Sequence, residues 1–177
     1  QAAAAGRLEL YPDPDASLVR DAVAKYHGIG AEQIFVGNGS DEVLAHAFFA
    51  FFQHAGRSLV MPDITYSFYT VYCGLYGIPY SVVPLRDDMQ VDIGALTDPA
   101  RVAQAAGIIV ANPNAPTGIE LPLADIERLL QAYPEQVVLV DEAYVDFGGT
   151  SAIGLVSRYP NLLVVHTLSK SCLLYTS

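Results

Sequence analysis

Two ionisable side chains of the sequence directly follow apolar runs, where a charged group is costly. Lys170 comes after "LLVVHTLS" and is one of only two lysines in the 177-residue chain, the other being Lys25. A lysine at the mouth of a buried strand can have its pKa lowered by partial burial and positive neighbours, so that its amine becomes a nucleophile able to form a Schiff base. For Lys170 taken alone, the simpler interpretation is a surface lysine at a strand end.

The second group is Asp141, which follows "VVLV". A carboxylate in such a position pays a desolvation cost unless a positive group accompanies it, so Asp141 favours a cationic ligand group such as a protonated ring nitrogen. An arginine of the protein or a metal ion would serve as well. The four histidines and the other carboxylates show no metal-ligand spacing, which speaks against a metal.

The segment "GNGSDE", residues 37–42, indicates an anion site. Its glycines allow a tight turn, and the N–H groups at the start of the following helix suit a phosphate, to which Ser40 adds a hydroxyl. The segment matches neither the P-loop pattern nor the dinucleotide fingerprint. Alone, Ser40 or Asp41 is more simply explained as a helix cap.

Together, a phosphate cradle at Gly39 to Asp41, the carboxylate of Asp141 and the amine of Lys170 describe a site for pyridoxal phosphate. In such a site the lysine holds the aldehyde carbon and the carboxylate keeps the ring an electron sink. Tyr66 could stack on the cofactor face, and Tyr144 could donate its hydroxyl to the phenolate oxygen of the ring. No metal is predicted.

The elements that must position these groups alternate along the chain. Uninterrupted apolar runs predict buried strands, and residues at helical spacing between them predict helices. The predicted strands lie near residues 34–36, 58–62, 78–85, 107–111, 137–141 and 161–168, and the predicted helices lie near residues 41–55, 66–76, 92–106 and 121–134. This order predicts a three-layer α/β/α domain with a mostly parallel sheet. The polar loops would then meet at the carboxyl edge of the sheet and share one pocket.

Composition limits the classes of function. The chain is 52% hydrophobic, enough for one globular domain or most of one, and its net charge of −10 leaves no basic stripe for nucleic acid. The two cysteines form no framework, which favours a reducing compartment, and we expect the cytoplasm. Gly, Pro or charged residues interrupt the longest apolar runs, so the sequence predicts neither a signal peptide nor a membrane span.

Six motifs in register resemble one family. "YPDP", "GNGSDE", "PDITYSFY", "NPNAPTG", "VDEAYVDF" and "HTLSK" are similar, in this order and at these separations, to the fold-type-I pyridoxal-phosphate aminotransferases. Within them the likeness is closest to the histidinol-phosphate aminotransferases. The resemblance covers residues 7–171, and several motifs in register are far more specific than any one of them.

The resemblance implies a role for each matching residue around the cofactor ring. Lys170 would form the Schiff base with the cofactor and move the α-proton, Asp141 would pair with the pyridine nitrogen, and Tyr144 would bond the ring oxygen O3′. Tyr66 would stack on the ring.

Other matches concern the cofactor phosphate and the turn before it. Ser40, Asp41 and Ser169 would hold the phosphate, and Tyr11 would reach the phosphate of the partner subunit, so that a homodimer is implied. The family commonly has an asparagine before "PTG" that also contacts O3′. Here that position is Ala115, and whether Asn114 substitutes for it is open.

The reaction that the resemblance implies is amino transfer in histidine biosynthesis. Histidinol phosphate and 2-oxoglutarate would exchange with imidazole-acetol phosphate and glutamate. Several of the motifs are shared with aromatic aminotransferases and with threonine-phosphate decarboxylases. A non-catalytic aminotransferase-like domain of a transcription regulator would also keep Lys170 and Asp141.

The resemblance further implies that residues 1–171 are part of a cofactor-binding large domain, incomplete at both ends. An N-terminal arm and a C-terminal small domain would then lie outside this chain, and the chain alone would be inactive. The last six residues, "CLLYTS", match nothing in the family. Residues 172–177 are expected to be a non-native tail, translated from a sequencing adaptor.

Overall fold

In the computed structural model of the chain, residue 11 and residues 13–171 are described. The chain divides into two compact units, residues 1–37 and residues 38–177, and each is described by itself. The predicted non-native tail, residues 172–177, lies outside the described residues. Its origin therefore stays a prediction, as does the assignment of residues 1–171 to one domain.

The first unit contains helix α1 (Ser17–His27) and a short 3₁₀ turn that begins at Ala31. The Asp13 carboxylate accepts a hydrogen bond of 2.8 Å from the backbone N–H of Ser17, which satisfies one of the open donors at the start of the helix. The guanidinium group of Arg20 donates two hydrogen bonds, of 2.7 and 3.0 Å, to the carbonyl of Ala31. These contacts tie the turn back to α1.

The strand predicted near residues 34–36 is wrong. This segment has no regular secondary structure, and none of the described strands pairs with it. Phe35 and Val36, the side chains that suggested a buried strand, are 63% and 37% exposed. A strand requires a hydrogen-bonded neighbour as well as an apolar run, and no described segment supplies one.

The second unit is built on a five-stranded sheet with the order β2-β1-β3-β4-β5. All four pairs of neighbouring strands are parallel, as the sequence predicts. The strands are β1 (Ser58–Pro62), β2 (Tyr80–Val83), β3 (Ala105–Ala111), β4 (Val137–Asp141) and β5 (Leu162–Val165). Every residue of β3 is buried, which explains why its sequence lacks polar alternation.

Helices connect the strands and cover both faces of the sheet. They are α2 (Ser40–Phe51), α3 (Phe68–Tyr76), α4 (Ile93–Leu96), α5 (Pro99–Gln104) and α6 (Leu123–Ala132). On one face Ile108 and Val138 pack with α4 and α6, and on the other Ile109 and Leu139 pack with α2 and α3. The two cores confirm the predicted three-layer α/β/α fold.

Local sequence signals set several helix ends. Asp98 caps α5, because its carboxylate accepts hydrogen bonds from the backbone N–H groups of Ala100 and Arg101, and Pro99 occupies the first turn. Pro122 is the residue immediately before α6. No helix among the described residues is both long and apolar enough to cross a membrane.

Candidate cofactor-binding site

A cavity of about 140 Å³ lies at the carboxyl edge of the sheet, within the second unit. Parallel strands bring their carboxyl ends to the same edge, so the loops after β1, β3, β4 and β5 all contribute to its wall. The lining residues are Asn38, Gly39, Ser40, Asp41, Tyr66, Ala111, Pro113, Ala115, Asp141, Ala143, Tyr144, Ser169 and Lys170.

The N-terminus of α2 forms one wall. Gly39 precedes the helix with φ +81°, a conformation that favours glycine, and so turns the chain into Ser40. The first backbone N–H groups of a helix lack intrahelical partners and carry its partial positive charge, which makes this wall suited to an anion. The Asp41 carboxylate accepts hydrogen bonds from the hydroxyls of Tyr66, at 3.2 Å, and Tyr72, at 3.3 Å.

Asp141, the last residue of β4, is the buried acid of the cavity. It is only 4% exposed. Its Oδ2 accepts a 2.7 Å hydrogen bond from the Tyr69 hydroxyl, and its Oδ1 accepts one of 3.2 Å from the backbone N–H of Ala143. Burial raises the pKa of Asp141, while these two donors and the charge of Lys170 act in the opposite direction. Both hydrogen bonds come from neutral donors, so the carboxylate presents its charge to the cavity.

Lys170 lies beyond the end of β5, on the loop that also carries Ser169. Its Nζ lies 5.7 Å from the centre of the Tyr144 ring, within range of a cation–π contact. The next residue, Ser171, donates its hydroxyl to Asp146, and the Ser169 hydroxyl lies 2.9 Å from that of Thr167. These contacts hold both sides of the loop that presents the amine.

The structure brings most of the predicted site residues into this one cavity: Gly39, Ser40, Asp41, Tyr66, Asp141, Tyr144, Ser169 and Lys170. It does not bring Asn114 there. Asn114 is buried, and its amide nitrogen donates to the carbonyl of Ile64 at 2.9 Å and to the hydroxyl of Thr117 at 3.3 Å. Its neighbour Ala115 lines the cavity instead, because the turn points successive side chains in different directions.

Tyr11, predicted to reach a partner subunit, belongs to the first unit and is fully exposed. Its contact with a partner stays a prediction.

Two tyrosines of the site were missed by sequence reasoning. Tyr69 and Tyr72 donate hydrogen bonds to the two aspartates of the cavity, and the sequence analysis assigns neither of them a role. A usable signal was present. Tyr66, Tyr69 and Tyr72 recur every third residue, which places neighbouring side chains on the same side of a helix.

The chemistry of the lining groups fits pyridoxal phosphate. A buried carboxylate suits a protonated ring nitrogen, a helix N-terminus with hydroxyls suits a phosphate, and a lysine amine suits an aldehyde. Among residues 11 and 13–171, no group of three His, Cys, Asp or Glu side chains is arranged to hold a metal ion. The donor set therefore points to an organic phosphate with a basic ring.

Comparison with known proteins agrees with this donor set. The family model for class I and II aminotransferases matches residues 1–176. The chain belongs to the class I and II aminotransferase family. Enzymes of this family depend on pyridoxal phosphate, which is the cofactor that the site fits.

A curated relative of this aminotransferase chain is a histidinol-phosphate aminotransferase from Acetobacter pasteurianus. It is 60% identical over 164 residues, which make up 93% of this chain and 44% of the relative. The chain therefore spans less than half the length of that relative.

Solved structures show the same fold. A histidinol-phosphate aminotransferase from Sinorhizobium meliloti, solved in complex with pyridoxal-5′-phosphate, superposes with a TM-score of 0.83 at 26% identity and covers 96% of this chain and 47% of its own. An L-threonine-O-3-phosphate decarboxylase from Porphyromonas gingivalis superposes with a TM-score of 0.75 at 25% identity, and the match covers 92% of this chain and 47% of the decarboxylase chain. The fold is therefore that of the fold-type-I enzymes, as the motifs indicate.

Proposed function

We propose that the protein containing this chain is a histidinol-phosphate aminotransferase. It would transfer the amino group of histidinol phosphate to 2-oxoglutarate, giving imidazole-acetol phosphate and glutamate, in histidine biosynthesis. The observation that carries the proposal is the pairing of the buried Asp141 with the Lys170 amine in one cavity, in a chain 60% identical to a relative of that name. The chain spans less than half of that relative, so the activity belongs to a longer protein.

Each side chain of the cavity would have a role that follows from its chemistry. Lys170 would hold the cofactor covalently through its amine, and the same Nζ would take up and return the proton of the substrate α-carbon. Asp141 would bind the protonated ring nitrogen, and the Tyr144 hydroxyl would donate to the ring oxygen. When bound, pyridoxal phosphate supplies an electron sink for the pair left at the α-carbon.

The remaining residues would bind and orient. The hydroxyls of Ser40 and Ser169 and the first N–H groups of α2 would hold the phosphate. Asp41 would contribute its backbone N–H at the start of α2, while the hydroxyls of Tyr66 and Tyr72 hold its carboxylate at 3.2 and 3.3 Å. The Tyr66 ring would lie against the cofactor face, which also excludes water from it.

The setting of the enzyme belongs to the same proposal. It would act in the cytoplasm as a homodimer in which Tyr11 reaches the partner's cofactor phosphate. Its partners would be amino-acid-like phosphates and the pair 2-oxoglutarate and glutamate, with neither nucleic acid nor a membrane involved.

Borohydride trapping tests the role of the lysine directly. In the complete reading frame that encodes this chain, reduction should fix the cofactor to Lys170, as located by peptide mass mapping, and Lys170→Ala should abolish that adduct. Lys25→Ala is the matched control, because Lys25 is the other lysine of the chain and lies exposed on α1. An adduct that persists at another lysine in Lys170→Ala would remove Lys170 from its role.

Substrate identity needs its own assay. Transamination rates with histidinol phosphate and with phenylalanine, measured side by side with 2-oxoglutarate as acceptor, should favour histidinol phosphate by a wide margin. Equal rates, or a preference for phenylalanine, would favour an aromatic aminotransferase.

A second candidate is threonine-phosphate decarboxylation, which the likeness to the Porphyromonas gingivalis enzyme favours. Both reactions would use the same lysine, acid and phosphate cradle. Release of carbon dioxide from threonine phosphate, with no glutamate formed from 2-oxoglutarate, would select this second function.

A further inference from the structure

A buried tyrosine contacts the acid of the cavity without lining the cavity itself. Tyr69 has no exposed surface, and its hydroxyl donates to Oδ2 of Asp141 at 2.7 Å. We propose that Tyr69 is a positioning residue, whose hydroxyl fixes the orientation of the Asp141 carboxylate and keeps it ionised for the protonated ring nitrogen of the cofactor. This inference rests on the proposed function, since it assigns Asp141 to that nitrogen.

Neighbouring aromatic rings hold the side chain of Tyr69 in place, with its hydroxyl at Asp141. Its ring stacks on that of Phe48 at a centroid distance of 6.1 Å and meets the edge of Tyr66 at 5.4 Å. The other carboxylate oxygen, Oδ1, is held by the backbone N–H of Ala143 at 3.2 Å. With one donor on each oxygen, the plane of the Asp141 carboxylate is fixed before any ligand arrives, which is the preorganisation that a binding group needs.

The donor is neutral, and this matters for the charge of the site. An arginine in the place of Tyr69 would neutralise Asp141 and compete with a cationic ligand. A tyrosine hydroxyl stabilises the carboxylate by a hydrogen bond and leaves its full negative charge in place. Its own pKa is raised well above the ordinary value by burial and by the charge of Asp141, so Tyr69 stays a donor across the working pH range.

Several charged or titratable groups act on Asp141 besides Tyr69. Burial raises the pKa of Asp141, and the nearby negative charge of Asp41 raises it further. The Tyr69 hydroxyl, the Ala143 N–H and the positive charge of Lys170 lower it. Among the described residues, Tyr66 and Tyr72 on the α3 side and Glu142 next to it in sequence also interact with Asp141.

The sign of the effect follows from these contributions. Affinity for the cofactor requires the charged carboxylate and is lost as the pH falls through the pKa of Asp141. Tyr69→Phe removes a donor that favours the charged form, so the pKa of Asp141 rises and affinity is lost at a higher pH. Because a hydrogen bond to a charged group is among the stronger ones, the dissociation constant of the cofactor at neutral pH should rise roughly 10- to 100-fold.

The experiment measures cofactor binding by the full-length apoenzyme in Tyr69→Phe. Pyridoxal phosphate is titrated and followed by equilibrium dialysis and by the visible absorbance of the bound cofactor, over a series of pH values. The matched control is Tyr133→Phe, since Tyr133 is also fully buried and its hydroxyl donates to the carbonyl of Leu96 at 2.6 Å, but it lies in the core on the other face of the sheet.

The expected result is a weaker cofactor affinity and an upward shift of the pH at which affinity is lost in Tyr69→Phe, with wild-type behaviour in Tyr133→Phe at a comparable loss of thermal stability. If the two variants bind the cofactor alike at every pH, the proposal is wrong. If the wild-type apoenzyme binds no pyridoxal phosphate at all, the proposed function fails, and that outcome is distinct from the first.

Asp141→Asn tests the same contact from its other side and serves if Tyr69→Phe does not fold. The Asn oxygen can still accept from Tyr69, but the side chain no longer ionises, so the acidic loss of affinity should vanish. Persistence of the wild-type pH dependence in Asp141→Asn would assign it to another group and overturn the proposal.

Discussion

Gly107 lies in a tightly packed part of the central strand β3, and Gly107→Ala should destabilise the protein measurably. A Cβ at this position would lie 2.5 Å from Cε1 and 2.8 Å from Cδ1 of the Phe52 ring, and 2.8 Å from the carbonyl oxygen of Val137. Carbon atoms pack at about 3.5–4.0 Å, so the ring would have to move by about 1 Å. Phe52 is fully buried and Val137 is the strand neighbour of Gly107, so neither can give way freely.

The cost follows from overpacking a dense core. Inserting a methyl group where both neighbours are fixed costs about 1–3 kcal/mol in the free energy of unfolding. Gly74→Ala is the matched control, because Gly74 lies inside α3 and a Cβ there has no atom within 4 Å. Alanine in a helix interior is favoured over glycine by about 0.5–1 kcal/mol, so the same substitution should stabilise at residue 74.

The assay is urea unfolding of the full-length protein, followed by circular dichroism for the wild type and both variants. A third variant, Gly107→Ala with Phe52→Leu, tests whether the Phe52 ring is the cause. The smaller side chain should recover part of the loss, so the two substitutions should be non-additive in that direction. Gly107→Ala with wild-type stability, or strict additivity with Phe52→Leu, would refute the reasoning.

Two further predictions concern capping and a buried acid. Asp98→Ala should cost about 1 kcal/mol of unfolding free energy, because the Asp98 Oδ1 accepts from the N–H groups of Ala100, at 3.0 Å, and Arg101, at 3.2 Å, at the start of α5; an unchanged urea midpoint would contradict it. Glu142 is fully buried and accepts from the Ser151 hydroxyl and the Ala152 N–H, both at 2.6 Å, yet burial raises its pKa above 4.5. A raised pKa means that the folded state binds the proton of Glu142 more tightly than the unfolded state does. Protonation of Glu142 therefore stabilises the folded state below about pH 4.5, and this stabilisation is lost as the pH rises through the raised pKa. Glu142→Gln should therefore flatten that part of the profile of unfolding free energy against pH, and an unaltered slope would contradict it.

The sheet could be predicted from the sequence because its strands are buried on both faces. The runs that became β1, β3, β4 and β5 are apolar without alternation, a pattern that a one-sided surface would not tolerate. The segment with Phe35 shows the limit of that signal, since an apolar run becomes a strand only beside a partner. Helix α1 was not predicted, and Ala24 is its single buried residue, so its sequence carries little of the stripe that marks a packed helix.

The site, too, could be predicted from the sequence only in part. Asp141 and Lys170 could be located because each follows a strand, and the carboxyl ends of parallel strands meet. Which side chain of a turn faces the cavity depends on backbone dihedral angles that the sequence does not state, and so the sequence leaves open whether Asn114 takes the place of the asparagine missing at Ala115. The roles of Tyr69 and Tyr72 could not be predicted for a related reason. In a sequence, a tyrosine that positions another side chain looks the same as one that packs in the core.

The three tyrosines around the start of α3 link the two halves of the cavity wall. Tyr66 and Tyr72 donate to Asp41 at the N-terminus of α2, whereas Tyr69 donates to Asp141 at the end of β4. The positions of both acids are thereby fixed by neutral groups of one segment. A ligand with a cationic ring and a separate phosphate must meet these two ends of the cavity at a set distance. The segment from Tyr66 to Tyr72 thus sets the spacing between the N-terminus of α2 and the buried acid.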